Sequence, residues 1–507
     1  MKDKLGDSAH SDVLRILAGF QWTYLSVALQ GVLKLAVIVV LARALTPRDF
    51  GLLSFALMCT SFIDRIGQLG VGQALVQAPS LTADSLRTSY ILSTTFGILS
   101  AAVVALCAPA CARFFQEPAL VHILYVLALG SIIDGMASFQ EARMQRAMRF
   151  KELMMVDNLA YAVSMGGFGI VLALLGWGIW SLVIATLVLK ILRLLSLVAW
   201  RDRQQNVDNG RWSTQEARVL LVTGMGFSLS RVLNFFSLQG DNFIVGRLLG
   251  VEALGLYSRA YQLMTIPAMY VGQVFEKVMF PAMAKSQAYP SRLIREYLLA
   301  LEAITLVASP AAIVIFVLAP EIVRTGFGDA WSGVTPIISI LSCGIFFRTA
   351  YKCSDTVVRS IGAVYHYAGR QALYTLFVVG GASIGAMTTG LSGVAVGVVA
   401  AVALNYVSMT MLCAKMIRVP WQSIARAHLS GIWVSVAVAI GLAGVAPYLR
   451  GSVSHPALVL VLGSLWAAIV WGLAALAAHY LMPGGVLEKA CNLLSFRGKS
   501  LQESHAG

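Results

Sequence analysis

The chain reads as an all-α polytopic membrane protein of about fourteen transmembrane helices, built as two parallel six-helix lobes followed by two C-terminal helices. Three observations predict this class. First, about fourteen apolar runs are each long enough for a helix to cross a hydrocarbon layer, which takes roughly 20 residues. Backbone polar groups left unpaired in lipid cost too much for any form but a helix or a closed barrel. Second, the connecting loops are alternately basic and nearly free of charge. Third, a fourteen-residue segment recurs at a constant offset of 204.

In order, the runs fall at 22–42, 51–77, 88–112, 119–140, 151–175 and 178–200, then at 217–245, 253–283, 298–319, 332–358, 365–388 and 391–414, with two more at 429–448 and 457–480. The first six form an N-lobe (22–200) and the second six a C-lobe (217–416). Between them the polar stretch 201–216 reads as a cytoplasmic inter-lobe linker. Residues 1–21 form a polar N-terminal segment, and the run after it is too long for a cleaved signal peptide. The last pair of helices occupies 427–482 and a cytoplasmic tail 483–507; neither of these two helices holds a Lys, Arg, Asp or Glu between 430 and 448 or between 457 and 478. They read as a lipid-facing addition to the twelve-helix core, grooved for an acyl or polyprenyl chain.

Charge fixes the expected orientation. With the first run leaving the cytoplasm, 29 of the 38 Lys and Arg lie in loops or tails, 23 of them on the cytoplasmic side; the six outside are Arg43, Arg48, Arg113, Arg247, Arg324 and Arg450. This is the bias of the positive-inside rule, and it predicts an inner-membrane protein with both termini cytoplasmic. The net charge of +14 is therefore topological, met by anionic headgroups; no basic stripe with a binding motif points to nucleic acid.

Signals for chemistry are weak. Cys107 and Cys111 stand four apart without a nearby His or carboxylate, which favours packed thiols over metal ligands or a disulfide. The seven histidines lack metal-ligand spacing. Gly381-Ala-Ser383-Ile-Gly385 matches a hydrolase nucleophile elbow, yet it lies within a span, where small residues serve close helix packing; Gly393 and Gly397 fit the same role. Gly498-Lys499-Ser500 ends like a P-loop, but Leu493 stands where the first glycine belongs. No loop is long enough for a soluble catalytic domain. The expectation is a secondary transporter with no catalytic residue, cofactor or metal.

The repeat aligns Arg43-Ala-Leu-Thr-Pro-Arg-Asp-Phe-Gly51-Leu-Leu-Ser54-Phe-Ala56 with Arg247-Leu-Leu-Gly-Val-Glu-Ala-Leu-Gly255-Leu-Tyr-Ser258-Arg-Ala260. Each copy joins the first and second helices of a six-helix set. Because six is even, the halves share one orientation, and their pseudo-two-fold axis runs along the membrane normal, a plan that places a substrate site at the repeat interface.

Nine cations and seven acids lie within the spans, where insertion of each costs roughly 2.5–3.5 kcal/mol at the bilayer centre. Lys190, Arg193, Lys277 and Glu302 are near enough to the cytoplasmic end to snorkel. Lys34, Asp64, Arg65 and Arg231 sit near mid-span, in a wet cavity or in buried inter-helix pairs. Asp64 and Arg65 point about 100° apart on a straight helix and cannot pair with each other. Arg348, Lys352, Asp355 and Arg359 follow i, i+4, i+7, i+11 spacing, a stripe on one helix face. Asp355 can reach Lys352 or Arg359; Arg348 needs a carboxylate from another helix or an anionic ligand, for which a guanidinium suits phosphate. The substrate-path candidates are Lys34, Arg65, Arg231, Arg259, Arg348 and Lys352. The ion-coupling candidates are Asp64, Asp157, Asp241 and Asp355.

Leu41-Ala-Arg43-Ala-Leu-Thr46-Pro47-Arg-Asp49-Phe50-Gly51 resembles the first extracytoplasmic loop of the polysaccharide transporter family, the Wzx-type O-antigen and exopolysaccharide flippases of the MOP (multidrug/oligosaccharidyl-lipid/polysaccharide) superfamily. Gly67-Gln-Leu-Gly70-Val-Gly72, Asp241-Asn242-Phe-Ile-Val-Gly246-Arg247, Gly255-Leu-Tyr257-Ser258-Arg259-Ala260-Tyr261, Phe280-Pro281-Ala282 and Ala319-Pro320-Glu321 extend the similarity from about residue 20 to 420. The resemblance implies a MATE-like pair of lobes and the translocation of undecaprenyl-pyrophosphate-linked oligosaccharide by alternating access, with membrane lipids and the polysaccharide polymerase and export machinery as partners. The family shares no catalytic signature from which an essential residue could be carried over. Alternatives are a multidrug or cation antiporter of the same superfamily, a polytopic ligase, and a non-transporting component of the assembly machinery.

Overall fold

A computed structural model describes residues 31–481 except 32, 69, 79–81, 201–209, 275–278, 281–282, 284–286 and 288, with backbone alone at 225–234 and a few scattered positions. The N-terminal segment, the tail, most of the first span and of the linker, Glu276, Lys277 and the side chain of Arg231 lie outside the described residues. Among the described residues every regular element is helical.

Helix α1 covers 33–44. It stops at Thr46, whose extended backbone opens α2 (Pro47–Gly67) through a capping box: the Asp49 amide donates to Thr46 Oγ1, and the Thr46 amide donates to the Asp49 carboxylate at 2.9 Å. Pro47 at the first helical position completes this start signal. Then follow α3 (Val71–Gln77), α4 (Ala83–Phe115), α5 (Leu120–Arg146), α6 (Phe150–Leu174, widened to π geometry over Ala162–Gly169) and α7 (Ile179–Ala199). Helix α8 (Thr214–Val274) is two helices joined at Gly250, whose φ of 88° and ψ of −178° only glycine adopts without strain. After it come α9 (Pro290–Val317), a set of short turns, α10 (Thr335–Ser342), α11 (Gly344–Ser360), α12 (Val364–Thr389), α13 (Leu391–Ile417), α14 (Trp421–Ser452) and α15 (Pro456–Leu481).

Eleven helices among the described residues are long and apolar enough to cross a membrane. Of the other expected spans, the first falls largely outside the described residues, and the seventh and eighth correspond to the two arms of α8. Their connection has collapsed to one glycine, so no loop separates them.

The chain divides into two compact units: Met1–Leu45 with Val71–Ala101 and Leu129–Gly224, and Thr46–Gly70 with Ala102–Ala128 and Met225–Gly507. In the first, a Cβ on Gly135 would lie 2.6 Å from the Ser93 carbonyl oxygen, so α4 and α5 meet backbone to backbone. Arg146 donates to the carbonyls of Leu75 and Val76 at 3.1 and 3.2 Å, and to that of Ala78, satisfying the open end of α3.

In the second unit, α9, α11 and α13 enclose a core in which Tyr297, Leu301, Cys353, Val357 and Cys413 are fully buried. Helices α12 and α13 cross on four glycines, Gly381 against Gly397 and Gly385 against Gly393, with carbonyl oxygens 2.2–2.8 Å from where a Cβ would stand. This is the small-residue packing expected of these positions. The pair α14–α15 attaches to α9 and the turn after it: Gly431 lies on the Thr305 backbone, Trp471 Nε1 donates to the Leu306 carbonyl at 2.8 Å, and Arg450, at the end of α14, makes a bidentate bond to Glu321 at 2.7 and 3.0 Å. An apolar cavity of about 350 Å³, lined by Pro310, Val314, Ala467 and Trp471 among others, lies between α9, α14 and α15.

Overpacking a filled contact costs about 1–3 kcal/mol, so Gly393→Leu should lower the thermal unfolding midpoint of the detergent-solubilised protein by several degrees. Gly444→Leu, where an added Cβ meets no atom within 4 Å, should not. Equal midpoints for the two variants would contradict the packing assigned to α12 and α13.

Candidate functional site

The second unit brings the two copies of the repeat against one another. A Cβ on Gly51 would stand 1.9 Å from the carbonyl oxygen of Val251; a Cβ on Gly255 would stand 1.8 Å from that of Pro47. Pro47 aligns with Val251 and Gly51 with Gly255 at the same offset, so each copy makes the contact that the other returns, as in a two-fold interface. The pseudo-axis passes between Ser54 and Ser258, whose Oγ atoms lie 3.2 Å apart with a sequence separation of 204. The chain breaks, too, are equivalent: Thr46 before α2 and Gly250 within α8 are also 204 apart. Sequence reading identifies these glycines and serines as repeated residues without assigning them a contact. The signal was the match itself.

The seam is flanked by aromatic packing. Phe50 meets buried Trp331 edge-on at 5.4 Å, and the Arg259 guanidinium stacks over the Phe50 ring at 4.7 Å. Arg259 also donates to Gln262 at 2.9 Å. This substrate-path candidate is therefore engaged at the seam.

The kink at Gly250 returns the second arm of α8 to its first. Tyr257 donates to Asp241 Oδ2 at 2.8 Å, and the Asn242 amide donates to Asp241 Oδ1 at 2.8 Å; Asp241 is fully buried. Tyr261, with its ring 5.6 Å from that of Tyr257, lies under the Arg348 guanidinium at 4.9 Å. Arg348 Nη1 donates to Tyr374 Oη on α12 at 3.3 Å. Asp241 on α8 is the carboxylate from another helix that shares a field with Arg348. The result is a buried Arg–Tyr–Asp cluster from α8, α11 and α12, in which low dielectric strengthens each charge's effect on the others.

Farther along the same stripe the environments change. Lys352 is half-buried, with Nζ over the Tyr351 ring at 5.0 Å. Buried Asp355 pairs with Arg359 at 3.1 Å and also acts on Lys352. On α2, Asp64 is buried while Arg65 is exposed and lies 5.9 Å over the Phe235 ring, the divergence expected of neighbours on a helix.

The remaining candidates belong to the first unit. Lys34 Nζ lies 5.7 Å over the Tyr161 ring and within the field of Asp157. Asp157 accepts from Arg193 at 2.8 Å, and Arg193 also donates to Glu141 at 2.9 Å. Lys190 pairs with Asp134 at 2.7 Å. Lys190 and Arg193, expected to snorkel, are both paired with carboxylates on α5 and α6, which lowers the cost of holding each charge in a span.

Comparison with known proteins places this geometry. A family described as "Polysaccharide biosynthesis protein" matches residues 40–336. The chain is 25% identical to the teichuronic acid biosynthesis protein TuaB of Bacillus subtilis (strain 168) over 74% of its own length and 78% of the relative's. It is 22% identical to the lipopolysaccharide biosynthesis protein WzxC of Escherichia coli (strain K12), over 69% and 68%. Among solved structures, the lipid II flippase MurJ in an inward closed conformation superposes with a TM-score of 0.73 at 12% identity, covering 90% of this chain and 98% of that one. An inward-facing multidrug resistance MATE family transporter of the MOP superfamily gives 0.64 at 16% identity, covering 77% and 94%. The fold is MATE-like, as the sequence predicts.

The seam has no room for a larger residue. Gly51→Leu and Gly255→Leu should each raise amide hydrogen exchange across residues 47–58 at least tenfold, with α12–α13 as protected as before. Unchanged exchange in both variants would contradict the reciprocal contact.

Proposed function

Because the chain belongs to the polysaccharide biosynthesis protein family, we propose that it is a flippase that carries undecaprenyl-pyrophosphate-linked oligosaccharide units across the cytoplasmic membrane for exopolysaccharide or lipopolysaccharide assembly. Relatives named for teichuronic acid and lipopolysaccharide biosynthesis and the fold of a lipid II flippase support this reading. It is a secondary transporter rather than an enzyme, an inner-membrane protein with both termini cytoplasmic, working beside the polymerase and export machinery.

The observation that carries the mechanism is the seam. Its closest surfaces are glycine and aliphatic backbone, and the polar contact across it among the described residues is a single serine pair in which Ser54 donates to Ser258. Separation therefore frees one hydroxyl donor, Ser54, while Ser258 keeps its bond to the Gly255 carbonyl at 3.1 Å, which keeps the polar cost of opening low. In an alternating-access cycle, the N-lobe (22–200) and C-lobe (217–416) rock about the pseudo-two-fold axis, with the seam sealing one side of the path.

The headgroup follows the cations. Arg348 and Lys352, with Lys34, Arg65, Arg231 and Arg259, offset the cost of carrying pyrophosphate charge through low dielectric. Asp241 is the leading ion-coupling candidate, buried and in the field of Arg348; Asp64, Asp157 and Asp355 are the others, two of them already paired with arginines. The polyprenyl chain stays in lipid while the headgroup crosses.

The test is purified protein in vesicles, with leaflet-specific detection of a labelled polyprenyl-pyrophosphate saccharide. The protein should accelerate crossing, and Arg348→Gln together with Lys352→Gln should slow it at least tenfold while the yield of folded protein holds. No acceleration, with efflux of cationic drugs instead, would establish the antiporter reading in its place.

A further inference from the structure

A second apolar cavity, of about 540 Å³, lies apart from the Arg348 cluster between α2, the end of α4 and the first arm of α8. Six phenylalanines line it in two groups. Phe62, Phe235 and Phe236 form one triangle, with ring centroids 5.3–5.8 Å apart; Phe114, Phe115 and Phe243 form the other, at 5.0–5.8 Å. Between the triangles the wall is lined by Cys59, Cys107, Ala110 and Cys111. Phe235 and Phe243 are eight residues apart on α8, so the long axis is about 12 Å at a rise of 1.5 Å per residue. Phe114, Phe236 and Phe243 are more than a third exposed, so the cavity has an open, apolar mouth.

Each triangle carries one exposed cation. Arg65 lies over Phe235, and Arg247 lies over Phe114 at 5.0 Å. A second exposed cation, Arg113, precedes Phe114 in the last turn of α4 and so starts from this end of the cavity. Both Arg113 and Arg247 stand beside chain breaks, at the end of α4 and at the Gly250 kink, where helices reach an interface. A cation held on an aromatic face keeps its outward N–H groups available, and two arginines together suit a phosphate.

We propose that this cavity is a binding site for an anionic phospholipid, with one acyl chain between the phenylalanine triangles and the phosphate on Arg247 and Arg113. Volume decides against the polyprenyl chain as occupant. With a methylene filling about as much space as a water, roughly 30 Å³, the cavity holds about 18 carbons: one acyl chain, and about a third of an undecaprenyl tail. Charge favours an anionic lipid over a neutral or zwitterionic one, because exposed Arg247 and Arg113 stand at the Phe114 end and attract a net negative headgroup most. The bound lipid spans α2 and α8, which carry the two halves of the seam, so its occupancy bears on how readily those helices part. The site stands independently of the transport reading.

The experiment is native mass spectrometry of the full chain, exchanged into detergent with phosphatidylglycerol, phosphatidylcholine or undecaprenyl phosphate. Phosphatidylglycerol should be retained at one per protein, at least tenfold more strongly than phosphatidylcholine. Arg247→Gln, an exposed substitution, should abolish that preference, and Ala110→Phe, which fills the cavity, should remove the bound lipid in protein whose elution and melting match the parent. If Ala110→Phe fails to fold, protection of Cys59, Cys107 and Cys111 from an apolar maleimide by phosphatidylglycerol replaces it. Equal retention of the two phospholipids, parental retention in Arg247→Gln, or displacement by an equimolar polyprenyl phosphate would each overturn the assignment.

Discussion

Two glycines hold this architecture to one arrangement. Gly51 and Gly255 let α2 and the second arm of α8 approach until backbone touches backbone, and each glycine meets the carbonyl preceding the other's helix turn. Dispersion between surfaces this close is strong collectively and falls off within an ångström of separation. Such a contact is either made or lost, and intermediate spacings gain little. That property suits an interface between two discrete states better than a hydrogen-bonded or interlocked one, whose rupture would strand polar groups in lipid. The same offset aligns the helix breaks, the glycines and the serine pair, so the symmetry of the sequence is carried by the contact that depends on it.

The charges follow a second constraint. An unpaired ion at membrane depth is costly, and each described intramembrane cation has found a carboxylate, an aromatic face or both. Arg193 bridges Glu141 and Asp157, and Lys190 takes Asp134. Arg348 is met differently, by two tyrosines and the field of Asp241. Tyrosines offer attraction without a full counter-charge, which leaves the guanidinium's positive potential less cancelled than a direct ion pair would. That contrast separates Arg348 from the cations that are paired directly with carboxylates.

Much of the fold was legible because each membrane span must satisfy its own backbone, so hydropathy alone locates helices. The seventh and eighth spans read as separate and are two helices, but the loop expected between them is a single residue, since Gly250 can turn the chain without one. Repeat residues could be aligned from sequence, but alignment gives equivalence and not contact; that Gly51 faces Val251 needed coordinates. Spacing along one helix found the Arg348 stripe and the divergence of Asp64 from Arg65. It could not find Asp134 as the partner of Lys190, because the pairing joins helices remote in sequence. The phenylalanine cavity was invisible for the same reason, its rings coming from three helices whose register only packing sets.

Cross-linking tests the seam most directly. In a chain whose native cysteines are replaced, Ser54→Cys with Ser258→Cys places two thiols where the hydroxyls lie 3.2 Å apart, within the reach of a disulfide. Oxidation of native membranes should couple the pair in high yield and stop polymer export, and reductant should restore both. A pair that never couples, or a coupled protein that exports at the parental rate, would contradict the account of a seam that opens and closes in each cycle.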